Sequence, residues 1–205
     1  MKAANPEIRV FNDLETANAW CMPGFKVTVF TGLIKRLKHS TDMTAAILAH
    51  EIAHADLKHG YRAFRENLIT QGIYHGLIGQ SRTTGAALAS VIGGGALRLL
   101  TTAHFSQEHE IEADIRAIAI LRNAGYDAWM LVNALAYFQG YDANLVQGIF
   151  SRYPNDPDRI LHDLKNLPVS EPHGANRKTE TGLLDSHPAT PERIARVGWL
   201  IMHGD

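Results

Sequence analysis

Two histidines and a glutamate stand close together in the segment "LAHEIAHADLKHG", residues 48–60. His50 and His54 are four residues apart, so on an α-helix they lie one turn apart and about 40° from each other around the axis. Glu51 flanks the same face. In this arrangement two neutral imidazoles bind zinc while the glutamate accepts a proton from the attacking water. The spacing therefore indicates a hydrolytic zinc site.

The same spacing also arises by chance on ordinary surface helices. The chain has eleven histidines, and roughly 3 of 100 such sequences would contain the pattern. The flanking segments "AAIL" and "IA" are apolar, and a helix buried by them would make unpaired histidine and glutamate costly. This setting favours a functional site.

A zinc site of this kind needs a third protein ligand, and the residues near the motif are poor candidates. His59 lies nine residues after His50, 180° around a continuous helix, so it cannot reach the same ion unless the helix breaks. The metzincin pattern requires glycine and histidine where this chain has Leu57 and Gly60. Cys21 lacks the surroundings of a deformylase-type cysteine ligand, and we expect it to pack in the core.

Four acidic residues in the segment "EHEIEAD" are further candidates. Glu108 with Glu112, and Glu110 with Asp114, form two pairs spaced one turn apart, and the two pairs lie about 200° apart around a helix. Only one pair can face the first helix. A solvated acidic helix start, favoured by the helix dipole, is the other interpretation. The spacing alone leaves these possibilities open.

The fold that must position these segments is predicted to be α+β, with a small N-terminal β-sheet packed on a mainly helical domain. "EIRVFND" is a predicted strand, and "NAWCMPGFKVTVFTGL" reads as two short strands joined at Pro23-Gly24, because "KVTVF" alternates β-branched residues. Helices are predicted over "TDMTAAILAHEIAH" with Thr41 or Asp42 as the cap, from near Thr102 to Gly125, over about 127–139, and from near Pro191.

Two further stretches have distinctive compositions. The least polar window, residues 83–97, contains three consecutive glycines and is shorter than the roughly 17 to 25 residues of a transmembrane helix, so we predict a buried or flexible helical segment. Residues 165–189 are rich in Pro, Gly, Ser and charge, which predicts a long loop. Loops of that length are usually functional or mobile. A chain of 205 residues with 45% hydrophobic content can bury one good core, so we expect residues 1–205 to form one domain.

The overall composition limits the possible partners. Twenty basic and twenty-one acidic residues give a net charge of −1, so no electrostatic reason exists to expect nucleic acid or an anionic membrane as a partner. The lone cysteine excludes an intrachain disulfide but does not decide the compartment. The first residues, "MKAANPEIRVFND", have no apolar signal-peptide core, so either the protein is made without a secretory signal or a signal was removed.

Four motifs follow one another along residues 18–197: "NAWCMPGFKVTVFTGLIKRL", "HEIAH", "EIEAD" and "SHPATPERIARV". In this order they resemble the HtpX-like and CAAX-prenyl-protease-like metallopeptidases, gluzincins in which a glutamate of an ExxxD motif completes the HExxH site. Two positions depart from the pattern of that family. Phe25 stands where a second glycine is common, and Gln107 stands where arginine is frequent. Neither is a proposed ligand.

The resemblance implies a role for each residue of the two central motifs. Glu110 would join His50 and His54 as the third ligand of one zinc ion per chain. Asp114 would hold a ligand histidine through its other ring nitrogen. Glu51 would be the catalytic base.

The two outer motifs are implied to contact substrate. Asn18, Ala19 and Trp20 would form a strand whose backbone pairs with an extended peptide, although Trp20 would equally suit core packing. His187 or Arg193 would stabilise the oxyanion; the simpler alternatives are a helix-start residue and a salt bridge. Of the two, His187 is favoured, and Arg193 is expected to tie the last helix to the core. In the empty enzyme His187 would also be placed to take the open position on zinc.

Together these expectations describe a zinc-dependent endopeptidase that cuts unfolded or membrane-associated proteins in protein quality control, a substrate class implied by the resemblance alone. The resemblance favours a periplasmic or membrane-associated location if a signal was removed, and a cytoplasmic one otherwise. A metal-stabilised chaperone-like or assembly protein with little proteolysis is the alternative. Glu51 argues against it, because a purely structural zinc site would not need that carboxylate.

Overall fold

The computed structural model describes five parts of the chain, residues 6–22, 25–37, 40–70, 105–170 and 187–204. In these parts a small sheet comes first and helices follow. The predicted α+β class, a small N-terminal sheet beside a mainly helical domain, is confirmed.

The sheet is built from β1 (Glu7–Phe11), β2 (Ala19–Met22) and β3 (Lys26–Phe30). Within the described residues, β3 lies in the middle, parallel to β1 and antiparallel to β2. Its side chains at 27–30 are buried, as expected for a strand of alternating β-branched residues. β2 is therefore an edge strand of this sheet. The predicted junction of β2 and β3 at Pro23-Gly24 lies outside the described residues.

A short helix, α1 (Thr31–Arg36), leads from the sheet to α2 (Thr41–Asp56), which carries the "HEIAH" motif. The N-cap of α2 is Ser40, whose Oγ accepts a backbone N–H of the first turn at 3.3 Å. The predicted caps Thr41 and Asp42 are thus wrong by one or two positions. Ser is as good a cap as Asp, and the acidic side chain in the first turn suits the helix dipole.

A tight turn after α2 brings the next helix back against it. Lys58 adopts a left-handed φ of 57°, a conformation that stops a right-handed helix. The next helix, α3 (His59–Thr70), starts immediately afterwards. The helix therefore does break before His59, although the sequence analysis assumed a continuous helix.

The second motif-bearing helix is α4 (Gln107–Asn123). Its N-cap is Ser106, whose Oγ accepts the backbone N–H of His109 at 3.2 Å, and Gly125 with φ of 78° follows its end. The predicted end at Gly125 is confirmed, whereas the predicted start near Thr102 lies outside the described residues. Among the described elements, α2 and α4 form the most extensive helix pair.

Four more helices close the core around this pair. The predictions for residues 127–139 and for a helix start near Pro191 are confirmed. The sequence analysis did not predict the two helices between them, nor α1 and α3. The bounds are α5 Trp129–Gln139, α6 Ala143–Arg152, α7 Pro157–Lys165 and α8 Pro191–His203.

The remaining predictions fall wholly or partly outside the described residues. The apolar window at 83–97 lies outside them, and so does 171–186, the central part of the predicted loop. No helix in the parts of the chain that the structure describes has both the length and the apolar character to cross a membrane. The single domain over 1–205 stays a prediction.

Candidate metal centre and active site

His50 and His54 project together from one face of α2. Their Nε2 atoms are 3.0 Å apart, and both side chains are buried. The helical spacing of four residues is the direct cause, because it stacks the two rings one turn apart. The structure thus turns both nitrogens towards one point, as the sequence motif predicted.

Glu110 on α4 and His187, just before α8, complete the cluster. Glu110 Oε1 lies 3.3 Å from His54 Nε2 and 2.8 Å from His187 Nδ1, and its Oε2 lies 3.4 Å from His50 Nε2. One donor atom from each of the four residues lies within 4.8 Å of all the others. The cluster therefore joins three histidines and one carboxylate from three separate parts of the chain.

The donor set of this cluster fits zinc. Imidazole nitrogens with a carboxylate oxygen are typical zinc ligands, whereas magnesium and calcium prefer oxygen ligands alone. Burial by itself would raise the pKa of Glu110, yet His187, His50 and His54 together hold it far below its usual range. The carboxylate is therefore ionised inside the protein. A buried anion among imidazoles creates a place for a cation.

Asp114 and Arg193 support one side of the cluster. Asp114 Oδ1 lies 3.1 Å from His50 Nδ1, so it holds the ring through the nitrogen that faces away from the cluster. Arg193 of α8 donates to both Asp114 oxygens, at 2.7 and 2.8 Å, and its Nη1 lies 2.8 Å from Glu110 Oε2. Burial and Arg193 lower the pKa of His50, but Asp114 and Glu110 outweigh them and raise it to about 9.

A different set of residues supports His54. Its Nδ1 lies 2.9 Å from Nδ1 of His59, whose Nε2 is 2.9 Å from Glu112 Oε2. Arg62 forms an ion pair with the same Glu112 oxygen. The ring of Phe105 stacks on the His54 ring, with centroids 4.2 Å apart. Burial lowers the pKa of His54 well below its usual value, which favours the neutral ring that a metal requires.

Glu51 lies beside the cluster. Its side chain is completely buried, and neither carboxylate oxygen has a hydrogen bond within the part of the chain that the structure describes. The nearest basic atom is His187 Nε2, 3.5 Å from Oε1. Burial raises the pKa of Glu51, and the nearby His187 and His50 offset only part of that effect. A buried carboxylate without a hydrogen bond is costly and calls for an explanation.

The predicted substrate strand lies against the helix that carries these residues. β2, with Ala19 and Trp20, contacts α2. The backbone carbonyl of Asn18 accepts the N–H of Phe30 at 3.0 Å. In an antiparallel pair, every second residue directs its backbone N–H and C=O away from the partner strand. The backbone groups of Ala19 and Cys21 therefore point away from β3, towards the sheet edge. Trp20 also packs edge-to-face on Phe30, with centroids 4.7 Å apart. Trp20 is half-buried and lies in the edge strand, so its contact with Phe30 joins it to the sheet and not to the main hydrophobic core.

Cys21 is expected to resist alkylation in the folded protein. Burial raises the pKa of its thiol well above the usual range, and the negative charge of Glu51 adds to the shift. Because the thiolate is the reactive form, iodoacetamide at pH 8 should label the native protein at least about tenfold more slowly than the unfolded protein. Mass spectrometry of a time course measures this ratio. Cys21 is half-buried and not part of the core, and equal labelling rates would show that the fold does not shield its thiol.

The four acidic candidates on α4 separate into distinct environments. Glu110 and Asp114 are buried and face α2, whereas Glu108 is exposed. Glu112 turns towards α3 and contacts His59. The pair formed by Glu110 and Asp114 is therefore the one that approaches the histidines of α2.

This combination of a helical HExxH motif, a glutamate from a second helix and a small edge sheet defines a metallopeptidase of the gluzincin type. The chain belongs to peptidase family M48, whose family model matches residues 1–199. The resemblance seen in the motifs is thereby confirmed.

One relative extends the comparison. The mitochondrial metalloendopeptidase OMA1 of Arabidopsis thaliana is 33% identical to this chain over 125 residues. The match covers 59% of this chain and 23% of the relative, so the chain spans less than a quarter of that protein's length.

His59 is the site residue that sequence reasoning missed. It was considered only as a ligand and set aside because a continuous helix would point it away from His50. The helix breaks at Lys58, yet His59 still stands outside the four-residue cluster and contacts His54 instead. The available signal was a histidine directly after the expected end of the helix.

Proposed function

We propose that this chain is a zinc-dependent endopeptidase. His50, His54 and Glu110 would hold one zinc ion per chain, and Glu51 would act as the catalytic base. The observation that carries the proposal is the buried carboxylate of Glu51, which has no hydrogen bond from the described residues and lies next to four converging donor atoms. The relative named as a metalloendopeptidase supports cleavage within chains rather than removal of terminal residues.

The residues of the site divide the chemistry between them. Zinc bound here would polarise the scissile carbonyl and make water more acidic. Glu51 accepts a proton from the attacking water and delivers it to the leaving amine. The raised pKa of Glu51 makes the carboxylate a stronger base towards water, and it lets the protonated form persist until the proton passes to the leaving amine. Asp114 keeps His50 oriented during this cycle.

The substrate is proposed to be an extended polypeptide. The outward-turned backbone groups of β2 suit pairing with an added strand, which reads main chain more than sequence. Asn18 Oδ1 already accepts the outward-turned N–H of Ala19 at 2.8 Å, so an added strand would pair with the Ala19 carbonyl and with the backbone groups of Cys21. A requirement for an extended chain favours unfolded protein segments, and membrane-associated substrates are included in the proposal on the family resemblance.

His187 is proposed to have two roles at the fourth position of the cluster. In the resting protein its Nδ1, 2.8 Å from Glu110 Oε1, would occupy the position that substrate needs. When it moves aside, the same imidazole could donate to the oxyanion. The composition of residues 165–189 predicts a loop long enough to allow that movement. Arg193 is bound to Asp114 and Glu110, so direct contact of Arg193 with substrate stays a prediction.

Replacing His187 with alanine is expected to raise basal cleavage several-fold, because the structure places its imidazole inside the donor cluster. Zinc should remain bound by three residues, with weaker affinity. A fluorogenic peptide assay with zinc analysis measures both. His203→Ala, which changes an exposed histidine of α8, is the matched control. Lower cleavage would instead show that the oxyanion contact dominates, and unchanged kinetics would refute both roles.

A cleavage assay on unfolded casein, with and without a chelator, tests the function itself. We expect cleavage that stops on chelation and returns with added zinc but not with magnesium. The alternative, a metal-stabilised chaperone-like or assembly protein, predicts binding of casein without cleavage in both conditions.

A further inference from the structure

The ring nitrogen of His54 that faces away from the cluster meets another histidine rather than a carboxylate. His54 Nδ1 and His59 Nδ1 are 2.9 Å apart, and both side chains are 0% exposed. His59 reaches this position because the left-handed residue Lys58 turns the chain sharply between α2 and α3. Because both rings are buried, their nitrogen atoms need hydrogen-bond partners inside the protein, and this contact provides a partner for the Nδ1 atom of each ring.

The contacts of His59 connect His54, the proposed metal ligand in the interior, with residues at the surface. His59 Nε2 lies 2.9 Å from Glu112 Oε2. The side chain of Glu112 is 36% exposed, and its carboxylate is paired with Arg62 of α3. The four residues thus form one chain of contacts, from His54 through His59 and Glu112 to Arg62.

Hydrogen-bond chemistry permits one arrangement of protons along this chain when His54 binds a metal through Nε2. A neutral histidine has one N–H, so His54 then carries its proton on Nδ1 and must donate it. His59 Nδ1 must accept, which places the proton of His59 on Nε2. That proton is donated to the carboxylate of Glu112. Every contact in the chain then joins one donor to one acceptor.

We propose that His59 is a positioning residue for the metal site, which accepts the Nδ1–H of His54 and is held in the accepting tautomer by Glu112 and Arg62. The inference rests on the metal site proposed above. It gives His54 a support equivalent to the one that Asp114 gives His50 directly. Such supports orient the ring and increase its basicity.

Three substitutions at His59 test the role of its Nδ1 atom. Asparagine can place an amide oxygen near the position of Nδ1, glutamine can place its amide near Nε2, and phenylalanine provides neither. We expect His59→Phe and His59→Gln to weaken zinc affinity by about 10- to 100-fold. We expect His59→Asn to stay within about fivefold of the parent, because it keeps an acceptor for His54. Competition with a chromophoric chelator measures these affinities.

A purely structural role for the ring predicts the opposite order. His59 stacks on His109, with centroids 4.5 Å apart and planes 19° from parallel. If this packing were the role of the ring, His59→Phe would keep zinc affinity and His59→Asn would lose it, and that order would overturn the proposal. His109→Phe is the matched control: it keeps the stack and removes no atom in contact with His54, so affinity should not change.

A measurement on the unchanged protein covers the case in which a variant does not fold. Nitrogen NMR of the zinc-loaded protein should show His59 protonated on Nε2 and not on Nδ1, and the reverse tautomer would overturn the proposal. A parent protein that binds no zinc would overturn the metal site and this inference together. A parent that binds zinc as tightly as His59→Phe does would overturn the role of His59 alone.

Discussion

Replacing Glu51 with glutamine should lower kcat by about 10² to 10⁴-fold, the range typical for loss of a general base. The amide has nearly the same shape as the carboxylate but cannot accept a proton from the attacking water. Glu51 is not among the four clustered donors, so zinc content should stay at one per chain. Kinetics on a fluorogenic substrate together with elemental analysis measure both quantities.

The same substitution should leave the metal-free protein at least as stable as the parent. Glu51 is completely buried without a hydrogen bond from the described residues, and burial raises its pKa, so its ionised form carries a desolvation cost that the neutral amide avoids. Thermal unfolding in the presence of a chelator measures this effect. Activity within a few-fold of the parent, or loss of zinc, would contradict the assignment of Glu51 as the base.

These two expected results distinguish an endopeptidase from a metal-stabilised chaperone-like or assembly protein. A site that serves only assembly gains nothing from a buried carboxylate that has no hydrogen bond from the described residues, because such a group only costs stability. A catalytic site keeps such a group because the missing partner is supplied during the reaction. A substitution that removes activity without loss of stability therefore points to catalysis.

The central part of the site could be predicted from the sequence because helical spacing is a local property. His50 and His54 converge wherever residues 41–56 form one helix, and apolar neighbours made that helix predictable. The fold class followed in the same way, from alternation in "KVTVF" and from the caps of the later helices. The cap of α2 was misplaced because Ser40, Thr41 and Asp42 are all good caps, and only the backbone shows which one stands outside the first turn.

The arrangement around that centre depends on tertiary packing, which spacing does not contain. The pairs Glu108/Glu112 and Glu110/Asp114 have the same spacing, and the packing of α4 on α2 decides between them. The role of His59 depends on one left-handed residue, Lys58, at a position without the glycine that usually signals such a turn. Spacing alone reveals neither feature: the choice of Glu110 and Asp114 came from the motif resemblance, and the only sequence signal for His59 is its position directly after the expected helix end.

Replacing Glu110 with glutamine should weaken zinc affinity by more than about 100-fold and abolish cleavage at ordinary zinc concentrations. Glu110 is the one carboxylate in the cluster, and its oxygens lie within 3.4 Å of both motif histidines. A neutral amide is a weak zinc ligand and removes the negative charge that balances the cation. Chelator competition gives the affinity, and the assay for cleavage gives the activity.

Glu108→Gln provides the matched control, because it makes the same change of charge on the same helix at an exposed position. A ligand that binds only the folded state raises the free energy of unfolding, by about 2.7 kcal/mol at a hundredfold excess over Kd. Zinc should therefore raise the melting temperature of the parent and of Glu108→Gln but not of Glu110→Gln. Full zinc occupancy in Glu110→Gln, or loss of the zinc-dependent shift in Glu108→Gln, would show that the acidic face of α4 has been assigned to the wrong pair.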